Sequence, residues 1–131
     1  MSETYTITDL ATEFGVTPRT IRFYEDKNLL HPERQGLNRV FSRRDRARLQ
    51  LILRGKRLGF SLAIIREMLD LYDLGDGQVE QLRVTLKRSQ ERLVELETQR
   101  RDINDAIREL KDGIQALQKA LSAKGVTTHA A

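Results

Sequence analysis

The side chains best equipped for chemistry in this 131-residue chain are cations. Between Arg19 and Arg57 stand twelve Lys and Arg: Arg19, Arg22, Lys27, Arg34, Arg39, Arg43, Arg44, Arg46, Arg48, Arg54, Lys56 and Arg57. Four acids share that span: Glu25, Asp26, Glu33 and Asp45. The block carries +8 in a chain whose total is +4, so everything outside it is net −4. Eleven of the thirteen Lys and Arg before Gly75 are Arg, whose planar fork suits phosphate oxygens and the guanine edge. Such a block points to a polyanion, most often nucleic acid.

Other chemistries find less support. No nucleophile–base pair, paired-carboxylate motif or Gly-rich phosphate loop is present, and Glu25 and Asp26, being adjacent, point apart on a helix. The chain therefore reads as a non-enzyme. It has no Cys, which excludes disulfides, thiolate metal sites, iron–sulfur clusters and thiol-based sensing. His31 and His129 are the only imidazoles, too few for a metal site, so neither metal nor cofactor is expected. No apolar run reaches the ~18 residues of a membrane span. The first residues, Met1 to Thr6, lack a basic and an apolar region and do not read as a secretory signal. A cytoplasmic protein is the expectation.

The elements that must position the cations are punctuated clearly. Thr8 is a candidate cap for a helix from Asp9, with Leu10, Ala11 and Phe14 on one stripe and Gly15 as its end. Thr17-Pro18 signals a second start, an N-cap followed by proline at the first helical position. Two short helices joined by a Gly-containing turn form a helix-turn-helix. The second helix turns Ile21 inward and Arg19, Thr20, Arg22 and either Phe23 or Tyr24 outward. His31-Pro32 stops helix. The stretch from Arg34 to Phe41, turning at Gly36 and Asn38, reads as a small β-wing with Arg39-Val40-Phe41 as a strand. Ser42 caps a helix to about Leu58, Gly59 ends it, and Ser61 caps another. Arg54 to Phe60 is a basic, Gly-flanked segment suited to phosphate.

From Gln78 to Leu121 the pattern changes to heptads. With Val79 as a, the a positions are Val79, Leu86, Leu93, Arg100, Ile107, Ile114 and Leu121. The d positions are Leu82, Ser89, Leu96, Ile103, Leu110 and Leu117. Eleven of these thirteen are apolar, the mark of a coiled-coil helix. Its length is roughly 66 Å at 1.5 Å per residue, too long to bury its stripe against so small a head, so a second copy of the chain is the simplest partner. A parallel pair would stack Arg100 on Arg100 at a high cost. In an antiparallel pair a faces d, Arg100 meets Leu96 or Ile103, and its charge can reach out toward Glu97. The small g positions Ala106, Gly113 and Ala120 allow close approach of another helix.

Thr6-Ile7-Thr8-Asp9-Leu10-Ala11, Gly15-Val16-Thr17, Thr20-Ile21-Arg22-Phe23-Tyr24-Glu25, Leu29-Leu30 and Arg57-Leu58-Gly59-Phe60-Ser61-Leu62 resemble, in order and spacing, the MerR family of bacterial transcription regulators. The likeness covers nearly all of the first 73 residues, and the coiled-coil helix carries it to about Leu121. It implies a mainly α fold: a winged helix-turn-helix head followed by a long dimerisation helix forming an antiparallel coiled coil. The corresponding divisions are residues 1–74 (head), 75–77 (turn), 78–121 (dimerisation helix) and 122–131 (flexible tail). The resemblance assigns DNA contacts to Thr17, Arg19, Thr20, Arg22, Phe23 and Tyr24 on the recognition helix, Arg39 on the first wing, and Arg54 and Lys56 on the second. Many relatives have Gly-Tyr-Arg where this chain has Leu37-Asn38-Arg39. Asn38-Arg39 and Ser42-Arg43-Arg44-Asp45-Arg46 look more like the branch controlling leucine and related acyl-CoA catabolism.

The implied function is sequence-specific binding of double-stranded DNA by a homodimer at a pseudo-palindromic operator. Family members bend and untwist a promoter whose spacer is too long, so that RNA polymerase can use both elements. A small organic effector, an acyl-CoA among the candidates, would bind at the dimer cleft, since only ten residues follow Leu121. Two other readings fit the same charge and heptads: an architectural DNA-bending protein that senses nothing, and a coiled-coil interaction protein with a basic head.

Overall fold

The computed structural model describes residues 3–72 and 78–126. Among these, the chain order is β1 (Thr4–Tyr5), α1 (Ile7–Phe14), α2 (Pro18–Asp26), β2 (Glu33–Gln35), β3 (Asn38–Ser42), α3 (Arg43–Leu58), α4 (Leu62–Tyr72) and α5 (Gln78–Ala123). The expected turn at 75–77, His129 and half of the expected tail at 122–131 lie outside the described residues.

Helix ends follow local chemistry, with one correction. Helix α1 starts earlier than Thr8 would place it. Thr6 is the N-cap: its hydroxyl accepts from the Asp9 amide at 3.0 Å, and the Asp9 carboxylate accepts from the Thr6 amide at 2.9 Å. This reciprocal box satisfies two otherwise orphaned N–H groups, which capping by Thr8 would not. Ser42 and Asp45 form the same box at the start of α3. The Thr17 hydroxyl accepts from the Thr20 amide, with Pro18 in the first turn, as expected for α2. Gly15 and Gly59 end α1 and α3 at φ 66° and 88°, a left-handed conformation that glycine adopts without a Cβ penalty.

The wing is a hairpin of β2 and β3, with Glu33 opposite Val40, Arg34 opposite Arg39 and Gln35 opposite Asn38. A strand not anticipated, β1, pairs with the far side of β3 through Thr4–Ser42 and Tyr5–Phe41, giving the antiparallel order β1-β3-β2. Two residues of strand carry almost no periodic signal, which is why the pairing was illegible in sequence.

The chain forms two compact units, and the boundary falls between Ser89 and Gln90, within α5. The first has one core: Leu10 and Ala11 from α1, Ile21 and Tyr24 from α2, Leu29 and Leu30 from the following loop, Phe41 from β3, Leu49 and Ile52 from α3, and Phe60, Ile65 and Leu69 around α4. Buried Asp45 and Arg48 serve it. Asp45 accepts from the His31 amide, and the Arg48 guanidinium donates to the Leu29 carbonyl at 2.9 Å, fixing the loop after α2. Arg88 on α5 pairs with Glu67 of α4 at 3.0 Å. Along α5 the apolar a and d side chains lie on the surface, Val79, Leu82 and Leu86 in the first unit and Leu93 to Leu121 in the second, between 38% and 66% exposed.

Candidate nucleic-acid interface

Helix α2 runs for nine residues, so adjacent side chains point about 100° apart and only one of its two neighbouring aromatics can face the core. Phe23 faces out, and Tyr24 is buried. Of the two aromatics expected at DNA, only Phe23 lies on the outer face, while Tyr24 packs inward. Its ring belongs to the core, stacked on Phe23 at 5.5 Å between centroids, and burial raises its phenol pKa. Arg19 and Arg22 are exposed on the outer face, with Thr20 partly exposed and its hydroxyl 2.9 Å from that of Thr17. The Lys27 ammonium lies 5.5 Å over the Phe23 ring, so cation and aromatic form one surface feature.

The wing joins this surface. Arg19, Arg22, Phe23, Lys27 and Arg39 line a shared concavity, with Asp26 as its acidic member. What holds Arg39 there is Glu25, which in sequence is one of four acids scattered through the cationic block. The Glu25 carboxylate accepts from Arg39 Nε at 2.7 Å and from Arg34 Nη2 at 3.1 Å. Arg34 and Arg39 face each other directly across the hairpin, a like-charge pairing that is unfavourable alone. One carboxylate from the recognition helix relieves the repulsion and ties the wing to that helix. Arg39 uses its Nε for this, and a guanidinium has four further N–H donors for phosphate. Glu25 is one of two adjacent acids at the end of a helix with two arginines, and nothing local marks it, because its partners lie nine and fourteen residues away. The wing tip adds another unexpected feature: Leu37, beside Gly36, is 97% exposed.

Arg54 and Lys56 are exposed on the last turns of α3 and flank Gly55, which is buried. A Cβ on Gly55 would stand 2.8 Å from Ile65 Cγ1, so this glycine is what lets α3 and α4 pack closely beneath the two cations.

Part of the cationic block is taken up by contacts within the head. Arg46 pairs with Glu13 and lies over the rings of Tyr5 and Phe14, clamping α3 to α1 and β1. Arg48 is buried. The +8 segment is thus not one continuous outward cationic surface, because a small head also uses arginine to satisfy carbonyls and acids between elements. Among the described residues no group of three His, Asp or Glu is placed to hold a metal ion, and no helix is long and apolar enough to cross a membrane.

Comparison with known proteins places this geometry. The family model described as MerR HTH family regulatory protein matches residues 5–71, and that described as MerR, DNA binding, matches residues 46–113. The chain is 41% identical over 69 residues to the HTH-type transcriptional regulator ZntR of Escherichia coli (strain K12), covering 51% of this chain and 49% of that protein. It therefore spans about half the length of that relative. It is 32% identical over 103 residues to the HTH-type transcriptional regulator HmrR of Rhizobium leguminosarum bv. viciae, covering 78% of each. Among solved structures, HiNmlR, a MerR family regulator lacking the sensor domain and bound to promoter DNA, aligns with a TM-score of 0.53 at 29% identity over 95% of this chain and 92% of that one. A MerR family transcriptional regulator from Bacillus cereus aligns with a TM-score of 0.59 at 26% identity, over 92% and 84%. Two family models that together run from residue 5 to residue 113 leave one assignment: this chain belongs to the MerR family of helix-turn-helix DNA-binding regulators.

Proposed function

We propose that the protein is a cytoplasmic, promoter-binding transcription regulator that acts as a homodimer and answers to a small organic effector. The observation that carries the reading is the concave surface where Arg19, Arg22 and Lys27 of the recognition helix meet Arg39 of the wing. In this reading α2 enters the major groove, with Thr17, Arg19, Thr20, Arg22 and Phe23 at bases and phosphates. Arg39, Arg54 and Lys56 hold the flanking backbone. HiNmlR, similar over nearly the whole chain, is bound to promoter DNA. The exposed a and d stripe of α5 supports dimerisation, and Arg100 favours the antiparallel arrangement. Two heads related by a twofold axis call for a pseudo-palindromic site. Each base pair of excess spacer rotates one promoter element by about 34° relative to the other, given ~10.5 bp per turn. Undertwisting and kinking by the bound dimer offset that rotation for RNA polymerase, at a few kcal/mol met by the protein contacts.

Footprinting upstream of the protein's own gene, with sedimentation of the free protein, tests this. The expected result is a dimer protecting two half-sites symmetrically, with affinity that falls steeply with salt. A monomer, or protection of one half-site alone, refutes it.

A further inference from the structure

Within the first unit, α3, α4 and the first turns of α5 line a partly open cavity of about 250 Å³. Its wall is apolar, with Leu51, Leu58, Phe60, Met68 and Leu69 contributing. Four polar side chains interrupt it, Arg54, Gln81, Thr85 and Ser89, and two of them stand out. The Thr85 hydroxyl, on α5, is fully buried and makes no hydrogen bond, although a buried hydroxyl without a partner is destabilising. Arg54, on α3, lines the cavity and is also exposed to solvent, and no carboxylate is among the lining residues. An apolar chamber with one orphaned hydroxyl and one cation fits an apolar molecule with an anionic, hydrogen-bonding end.

We infer that this cavity is a binding site for a small carboxylate with an apolar body. A dry cavity of about 150 Å³ accommodates benzene, so 250 Å³ corresponds to about ten non-hydrogen atoms. That is the size of octanoate or phenylacetate and far below that of a coenzyme A thioester. The carboxylate takes the Thr85 hydroxyl as donor and the Arg54 guanidinium as counter-charge. Because Arg54 is also one of the cations proposed to hold DNA, the ligand and the DNA backbone draw on the same side chain. The inference rests on the effector-responsive reading above for its regulatory meaning, though not for its binding chemistry.

Isothermal titration of the full chain, free of DNA, with octanoate, phenylacetate, 1-octanol and octanoyl-CoA tests the site. Saturable binding of both acids is expected, with 1-octanol at least about tenfold weaker and octanoyl-CoA no tighter than octanoate. Met68→Trp, which fills the chamber, abolishes binding while circular dichroism and DNA binding persist. Thr85→Val keeps the side-chain shape and weakens octanoate at least about tenfold, the worth of one hydrogen bond to a charged group; it carries the test should Met68→Trp not fold. No saturable binding of either acid, as when the second copy plugs the chamber, overturns the inference. So does undiminished binding in either folded variant, or tighter binding of the thioester. Repeating the titration with DNA present separates the two readings. A true effector and DNA must alter each other's affinity by the same factor. Acids that bind but leave DNA affinity unmoved sustain the site and refute the effector reading.

Discussion

Glu25→Gln isolates the contact between the recognition helix and the wing. The substitution keeps the side chain's shape and removes one negative charge from between two arginines. The Arg39 contact is short, 2.7 Å, with Glu25 13% and Arg39 21% exposed, so it lies within the range of about 1.5–3 kcal/mol for a charge-assisted hydrogen bond. Arg34 is 55% exposed, and its bond at 3.1 Å belongs with surface pairs worth about 0–1 kcal/mol. Loss of the negative charge from both contacts, with Arg34 left facing Arg39 uncompensated, predicts a destabilisation of about 2–3 kcal/mol. In a head of this size that is roughly 8–24 °C in Tm. The effect on DNA has the opposite sign. Two arginines released from a carboxylate are available to phosphate, so binding to non-specific DNA tightens, and the log–log salt slope steepens by about 0.9 for each additional phosphate neutralised. Discrimination between operator and random DNA falls, because the wing is no longer oriented by the recognition helix. Thermal denaturation, fluorescence-anisotropy titrations at several salt concentrations, and a double-mutant cycle with Arg39→Gln read out these quantities. A Glu25→Gln protein with unchanged Tm, unchanged salt slope and no coupling to Arg39 refutes the reasoning.

Three further outcomes follow from the same geometry. Tyr24→Ala removes a buried aromatic and costs about 3–5 kcal/mol of stability by denaturant titration, whereas Phe23→Ala leaves the head folded and weakens DNA binding in anisotropy; equal stability losses contradict the assigned faces. Gly55→Ala drives a Cβ to 2.8 Å from the almost fully buried Ile65, and overpacking of about 1–3 kcal/mol, less about 0.5–1 kcal/mol of helix propensity, leaves a net loss in melting temperature; a rise shows that Ile65 can yield. The Arg46 guanidinium, by its hydrogen bond to Glu13, holds that carboxyl below its ordinary 4.5. A lowered folded-state pKa adds stability that is present above pH 4.5 and lost as pH falls through the folded value. The stability difference between wild type and Glu13→Gln therefore shrinks on acidification, and one that grows is the contrary result.

Much of the architecture was legible because it is written in short-range relations. Caps at Thr17 and Ser42 and stops at Gly15 and Gly59 act over three or four residues. The heptads of α5 mark an apolar stripe that needs no knowledge of what packs on it. The density of arginine from Arg19 to Arg57 signalled a polyanion for the same reason. Tertiary structure decided wherever two local choices were equivalent or the partner was distant. Thr6 and Thr8 both precede Asp9, and only Thr6 lies three residues before it, the spacing at which both bonds of the box close. Phe23 and Tyr24 are adjacent aromatics, and the core accepted one, since the helix rotates the other about 100° away. Arg46 and Arg48 differ in no sequence property from Arg43 and Arg54, yet Arg46 is tied across the surface to Glu13 and Arg48 is buried against the Leu29 carbonyl. Glu25 acquired its role only when the hairpin brought Arg34 and Arg39 together. By itself the sequence determined that the protein is a cationic helix-turn-helix head with a long heptad helix. Which cations lie on the outer surface, and where α3, α4 and α5 leave a largely apolar pocket, depended on side chains far apart in the chain coming within a few ångströms, where charge, burial and shape act.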